Sequence, residues 1–437
     1  MLKQRLAGAR PLVFSLYAAA AAFGAYFCMY AFRKPFTVAT FGEVGFWGNE
    51  LTYKSALVIL QVLGYAVSKF WGIKVISEMK QARRPYLLVG LILLAELALV
   101  LFALVPAPWN AFLLFFNGLP LGMIWGIVFS YLEGRRSSEL LGAGLSASFI
   151  VSSGAVKSVG QWLMLDMGLS DFWMPAATGA LFVLPLLVFA FLLEQIPPPT
   201  AEDIALRTER TPMSGAERRE LFRRFAPGLV LLIAFYMLLT AYRDLRDNFA
   251  AEIWSALGFG AAPFVFTVSE IPIAVVVLAM MGSTMFIKGN ARALQSYFWL
   301  VLGGAVLIGT STLLFHAHAM NGALWMVLVG LGLYIAYVPF NCILFDRMMA
   351  AFRYKGNAGF LIYVADAFGY LGSVAVLLWK DMGQAALTWL EFFGGASYLL
   401  AIGGSLLMLG AIFYFDKKVF SKGHRYPTLP VQLPKAP

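Results

Sequence analysis

Apolar runs of about twenty residues repeat along the chain from Pro11 to beyond residue 410, separated by short polar segments. A helix of that length crosses roughly 30 Å of hydrocarbon. Within several runs, polar residues return every three or four positions, which places them on one helical face. The pattern predicts helices at 12–38, 53–76, 86–105, 110–132, 139–165, 171–195, 228–254, 262–287, 293–316, 321–348, 356–380 and 390–415. The expected fold class is all-α and polytopic, with twelve spans.

Composition narrows this further. The chain is 60% hydrophobic and 13% charged, whereas soluble domains are about half apolar and a quarter charged. The first run has no short apolar core followed by a small-residue cleavage site, so it reads as a span and not a removed signal. A net charge of +10 is explained without nucleic acid by basic loops on the cytoplasmic side. Lys3, Arg5, Arg10, Arg83, Arg84, Arg292, Lys417 and Lys418 all fall on one side if the N-terminus is inside. A multi-pass protein of the cytoplasmic membrane with both termini cytoplasmic is expected. Cys28 and Cys342 sit inside apolar runs and read as two thiols, not as a disulfide or a metal site.

The segment "QIPPPTAEDIALRTERTPMSGAERRELFRRF" (195–225) is Pro-led and then highly charged. It divides the spans six and six. The expected organisation is an N-terminal bundle (1–195), a cytoplasmic linker (196–226), a C-terminal bundle (227–416) and a tail (417–437). Within the linker, "GAERRELFRRF" predicts a short amphipathic helix on the inner surface. Two six-helix halves joined this way suggest the major facilitator plan, with substrate held between the halves.

Charges inside the spans need a reason, since each costs about 2.5–3.5 kcal/mol at a span centre. "YFCMYAFRKPF" (26–36) carries Arg33 and Lys34, the fifth span carries Lys157, and "AYRDLRD" (241–247) carries Arg243, Asp244, Arg246 and Asp247. At 1.5 Å per residue, Arg33, Lys157 and Arg243 each lie roughly 28–35 Å from the basic residue that opens their span, hence in one layer. Tyr26, Tyr30 and Arg33 share a face, as do Ser153, Lys157 and Gln161, and likewise Gln61, Tyr65 and Lys69. Tyr236, Thr240, Arg243 and Asp247 align, with Arg246 adjacent, and Tyr363, Asp366, Tyr370 and Ser373 align. One such stripe is often helix–helix glue; several, each with a charge, point to a cavity that holds a small anion. Lys34 lies off the Arg33 face and is expected to pair locally or reach the interface. Lys69 could instead snorkel to the inner surface. Glu96, Glu270 and Asp366 are candidate proton sites or counter-ions, and Asp247 is a further counter-ion.

Four stretches carry a resemblance to the organophosphate:phosphate antiporter branch of the major facilitator superfamily. They are "YAFRKPF" (30–36), "GYAVSKFWGIKVISE" (64–78), "VSEIPIAVVVLAMMGSTMFIKGNARA" (268–293) and "YKGNAGFLIYVADAFGYLGSVAV" (354–376). The resemblance implies a twelve-helix fold, alternating access, and a phosphate-binding role for Arg33, with Lys69 as a pocket lysine. Two features depart from that pattern. The seventh span has two Arg–Asp pairs, so Arg243 and Arg246 compete for the second anion-binding role. Lys157 falls near, but not at, the position of a phosphate-binding histidine. The expected function is secondary transport of a small organic anion by a monomer without cofactor. A proton-coupled symporter using Asp366, Glu270 or Glu96 is the alternative, and a non-transporting anion receptor a further one. No nucleophile–base pair or metal-ligand cluster marks the spans, so no enzymatic activity is expected.

Overall fold

The computed structural model describes residues 2–42, 44–46, 51–77, 81–132, 138–198, 215–284, 286–287, 289–352, 354 and 358–420. Residues 199–214 of the expected linker, and the tail beyond 420, lie outside them. The long helices are α1 (Pro11–Tyr30), α2 (Tyr53–Ser77), α3 (Arg84–Leu104), α4 (Ala111–Ser130), α5 (Ser138–Leu165), α6 (Met174–Glu194), α7 (Gly215–Asn248), α8 (Val265–Thr284), α9 (Asn290–His316), α10 (Gly322–Cys342), α11 (Ala358–Leu378) and α12 (Trp389–Lys418). Ten of them are, among the described residues, long and apolar enough to cross a membrane by themselves. The other two, α2 and α5, carry polar faces. Exposed Leu, Val and Phe side chains cover the outside of α3, α6, α8 and α12, where lipid would meet them. The chain is a multi-pass helical membrane protein.

Three boundaries differ from expectation, each for a local reason. Helix α1 stops at Tyr30, eight residues before the expected end at 38. Pro35 has no N–H to donate; after Tyr30 the chain tightens into i→i−3 bonds at Ala31, Phe32 and Arg33 and resumes as a 3₁₀ segment, Pro35–Val38. The amphipathic stretch "GAERRELFRRF" is not a separate surface helix; it is the first three turns of α7, continuous through Pro227. Helix α10 ends at Cys342, three residues after Pro339, and a short helix Leu344–Ala351 follows.

Helices α1 to α6 pack among themselves, as do α7 to α12, and the two sets meet through α2 with α11 and through α5 with α8 and α10. The start of α1 meets the end of α6, where Tyr17 donates to the Leu192 carbonyl at 2.9 Å, and the start of α7 meets the end of α12, where Tyr414 donates to the Arg224 carbonyl at 3.3 Å; these contacts mark the linker end. The opposite end is called the far end below. Glycine fixes the closest approaches. A methyl on Gly64 or Gly118 would overlap the carbonyl oxygen of Phe115 or Gln61, and one on Gly122 would lie 2.6 Å from the Tyr65 carbonyl. Helices α2 and α4 therefore touch backbone to backbone. Gly118→Ala is expected to destabilise the fold by about 1–3 kcal/mol through overpacking. Gly90→Ala on α3, where a methyl meets open space, should be neutral or slightly stabilising. Thermal melts of the two purified variants check the contrast.

Candidate functional site

Arg33 owes its position to the break in α1. With the helix ended at Tyr30, the next residues turn, and two adjacent cations leave in different directions. The Arg33 guanidinium lies over the Tyr65 ring, 4.0 Å from its centre, among Tyr26, Tyr30 and Tyr370. It is 9% exposed, and its Nε has no hydrogen-bond partner. Among the described residues no carboxylate pairs with it. Lys34 reaches the other half instead, 2.5 Å from the Asp247 carboxylate and 2.8 Å from Asn248 Oδ1.

Asp247 is the centre of a polar layer that joins the halves at the far end. Lys157 of α5 pairs with its Oδ1 and also donates to its backbone carbonyl. Ser153 donates to the same carboxylate at 2.5 Å. Gln161 donates to the Gly260 carbonyl at 2.7 Å, Lys54 pairs with Glu252 at 2.5 Å, and the Thr52 amide donates to Asp381 at 2.9 Å. Gly154 allows α5 to approach Phe266 on α8, because any side chain there would overlap the Phe266 carbonyl. Lys157, Arg246, Asp247 and Glu270 also line a small cleft at this junction, with room for about one water molecule.

The two arginines of α7 have different surroundings. Arg246 pairs with Glu270 of α8 at 2.6 Å and donates to the Met326 carbonyl at 3.1 Å. Both contacts lie within the α7–α12 set. Arg243 grips the neighbouring Asp244 through Nε and Nη2, at 3.0 and 2.7 Å. It also donates to the Tyr337 hydroxyl and lies 4.6 Å from that ring centre. Ser373 of α11 holds the second Asp244 oxygen at 2.7 Å. Tyr30 and Tyr370 lie within electrostatic range of both Arg33 and Arg243. Tyr30 and Tyr370 thus lie near an arginine of each half.

One layer nearer the linker, Lys69 of α2 pairs with Asp366 of α11. Tyr236 donates to the other Asp366 oxygen at 2.7 Å. Just above, Tyr65 and Tyr370 meet edge to face, 5.6 Å between centres. Arg33 is closed in from both directions, by the Asp247 layer on one side and by these two pairs on the other. Tyr363 lies a turn from Asp366 on α11 and is 37% exposed. Glu96 lies on α3 against Gly179 and Phe32, with Oε2 buried and unpartnered. Tyr337, Asn341 and Asn117 belong to these networks although the hydropathy pattern did not single them out. Asn117 had a visible signal, an amide inside an apolar span.

Comparison with solved structures establishes the fold. A crystal structure of a D-xylose-proton symporter superposes with a TM-score of 0.63 at 15% identity, over 92% of this chain and 97% of that one. A crystal structure of the nucleoside transporter NupG gives 0.60 at 15% identity, over 92% and 99%. Both are transporters of the major facilitator type, and the expected fold class is borne out. The narrower kinship with organophosphate exchangers is not among what these likenesses support. No curated protein matches the chain. Residues 35–418, from the 3₁₀ turn after Arg33 to the end of α12, match the model described as Family of unknown function (DUF5690), and the chain belongs to that family.

Proposed function

We propose that this protein is a secondary transporter that moves a small organic anion, a phosphate ester or a carboxylate, by alternating access of its two halves. One observation carries the reading: Arg33 is a buried guanidinium at the meeting of the halves with no carboxylate to neutralise it among the described residues. An uncompensated buried charge costs several kcal/mol, so its natural partner is an anion that comes and goes. Arginine suits the task, because its planar fork grips a phosphate or carboxylate through two hydrogen bonds.

Arg243 is the partner from the other half. It already aims Nη1 into the tyrosine layer, and its own charge is balanced by Asp244, so a ligand need not neutralise it fully. Arg246, engaged with Glu270 and Met326 inside its own half, is the structural member of the pair. The basic segments at the linker end assign that end to the cytoplasm. A second reading is proton-coupled uptake of a polar solute, by analogy with the D-xylose-proton symporter of similar fold. It is favoured by Asp366, whose carboxylate joins Lys69 of one half to Tyr236 of the other and could exchange a proton as the halves part.

The test is thermal denaturation of the purified chain with inorganic phosphate, glycerol phosphate, acetate, citrate, xylose or uridine. A ligand of the folded state at 100 times its Kd stabilises by about 2.7 kcal/mol. Stabilisation by an anion, lost in Arg33→Ala, supports the anion reading. Stabilisation by a neutral solute alone, unaffected by Arg33→Ala, overturns it in favour of the second.

A further inference from the structure

We infer that Gln61 and Asn117 are positioning residues that fix the broken end of α1 and so aim Arg33 inward while Lys34 points across to Asp247. This rests on the anion-binding reading for its functional meaning but not for its geometry.

A helix that stops inside a membrane leaves carbonyl oxygens without intrahelical partners, and water cannot supply them there. At the end of α1 the exposed acceptors include the carbonyls of Phe32 and Arg33. Two buried amides meet both. Asn117 Nδ2 donates to Phe32 O at 2.9 Å and to Ala95 O on α3 at 3.0 Å. Gln61 Nε2 donates to Arg33 O at 2.9 Å and to Asn117 Oδ1 at 2.7 Å. Asn117 is 0% exposed and Gln61 4%. Side-chain amides fit this place because each carries two donors and an acceptor, so one residue can hold two carbonyls and be held in turn.

The support beneath them is stiff. Gln61 and Asn117 lie on the α2 and α4 faces that touch backbone to backbone through Gly64, Gly118 and Gly122. Tyr65, the ring under Arg33, projects from the same contact one turn below Gln61. The frame that grips the Arg33 backbone therefore also carries the ring that receives its guanidinium. A side chain held at both ends in this way has little freedom to turn toward Asp247, only one residue's step away along the chain. The two neighbouring cations keep separate duties, one for the ligand and one for the closure of the far end.

The expected consequence is local. In Asn117→Leu or Gln61→Met, the carbonyls of Phe32 and Arg33 lose donors, the turn loosens, and Arg33 becomes accessible. The purified full-length protein is treated with phenylglyoxal, and modification of Arg33, Arg243 and Arg246 is followed by peptide mass spectrometry. Loss of the two buried hydrogen bonds of Gln61, or the three of Asn117, corresponds to roughly a ten-fold rise or more in the population with Arg33 freed. A rise of that order at Arg33 alone is the expected result. Asn110→Leu is the structural control: Asn110 is as buried, beside the start of the same helix, but bonds Tyr53 and the Phe102 carbonyl, away from the break. It should lower the melting temperature without raising Arg33 labelling. Equal labelling of Arg33 in wild type and in a folded Gln61→Met protein would overturn the inference, as would a general rise at all three arginines. Gln61→Met decides the matter if Asn117→Leu fails to fold, since it leaves both Asn117–carbonyl bonds in place. No ligand enters this assay. Protection of Arg33 from phenylglyoxal by added anion tests the binding reading separately, so either can fail alone.

Discussion

Arg33→Lys is expected to lower affinity for the anion identified by thermal shift by about ten-fold or more, because one charge-assisted contact contributes about 1.5–3 kcal/mol. Lysine keeps the charge but loses the planar fork and its stacking on Tyr65, so the substitution separates geometry from net charge. Arg33→Ala should abolish binding. Arg243→Ala should then cost little more in the same background, since two residues that hold one ligand are non-additive. Arg246→Ala should behave differently. It leaves the Glu270 carboxylate buried without its cation, so its loss should appear in the melting temperature, with affinity in the surviving folded protein nearly unchanged. Calorimetry on the single and double variants reads all of these. Additive losses for Arg33 and Arg243, with Arg246 coupled instead, would mean that the ligand sits in the Lys157–Glu270 cleft and not among the tyrosines.

The different roles of these arginines mark how far the sequence could be read. Helix number, span length and the depth of each charge follow from hydropathy and a fixed rise per residue, and these do not depend on neighbours. Depth put Arg33, Lys157 and Arg243 in one layer; the structure instead sets Lys157 on Asp247, one turn beyond Arg243, where α5 and α7 meet across the two halves. Pairing is another matter, because it depends on how each helix is rotated against a helix far away in sequence. Arg243 and Arg246 are three residues apart on α7, and that turn is enough to send one toward Tyr337 and the other toward Glu270. Lys69 could be read as reaching the inner surface; the structure sets it on Asp366 because α2 and α11 meet at that height. The role of Lys34 was hidden for a further reason. An α-helix continued to residue 38 would also turn Lys34 off the Arg33 face, but its partner Asp247 belongs to a helix of the other half, which spacing along α1 does not show. Pro35 was in plain view, but the amides that make the break tolerable, Gln61 and Asn117, come from two other helices.

Asp247→Ala is expected to be the most destabilising single change in the far-end layer. The carboxylate is shared by Lys34 and Lys157, whose side chains are 6% and 4% exposed. Removing it strands two buried cations side by side, and breaking even one buried pair costs about 3–5 kcal/mol. Lys157→Met should cost distinctly less, because Lys34 still balances Asp247 and methionine fills most of the lysine stem's volume. The double variant Lys157→Met with Asp247→Ala should be more stable than Asp247→Ala alone, since one of the two stranded charges is gone. Thermal melts of the three proteins test the ordering. The same layer must part if the far end is to open, so Lys157→Met should also favour opening there. A cysteine placed at Ala250, buried beside this layer, should react faster with a membrane-impermeant maleimide in Lys157→Met than in the parent. Unchanged reactivity together with a lower melting temperature would make the layer a structural seam and not a gate. If Lys157→Met destabilised as much as Asp247→Ala, and the double variant recovered nothing, Lys34 would not be sharing the carboxylate, and the division of labour between Arg33 and Lys34 would fail with it.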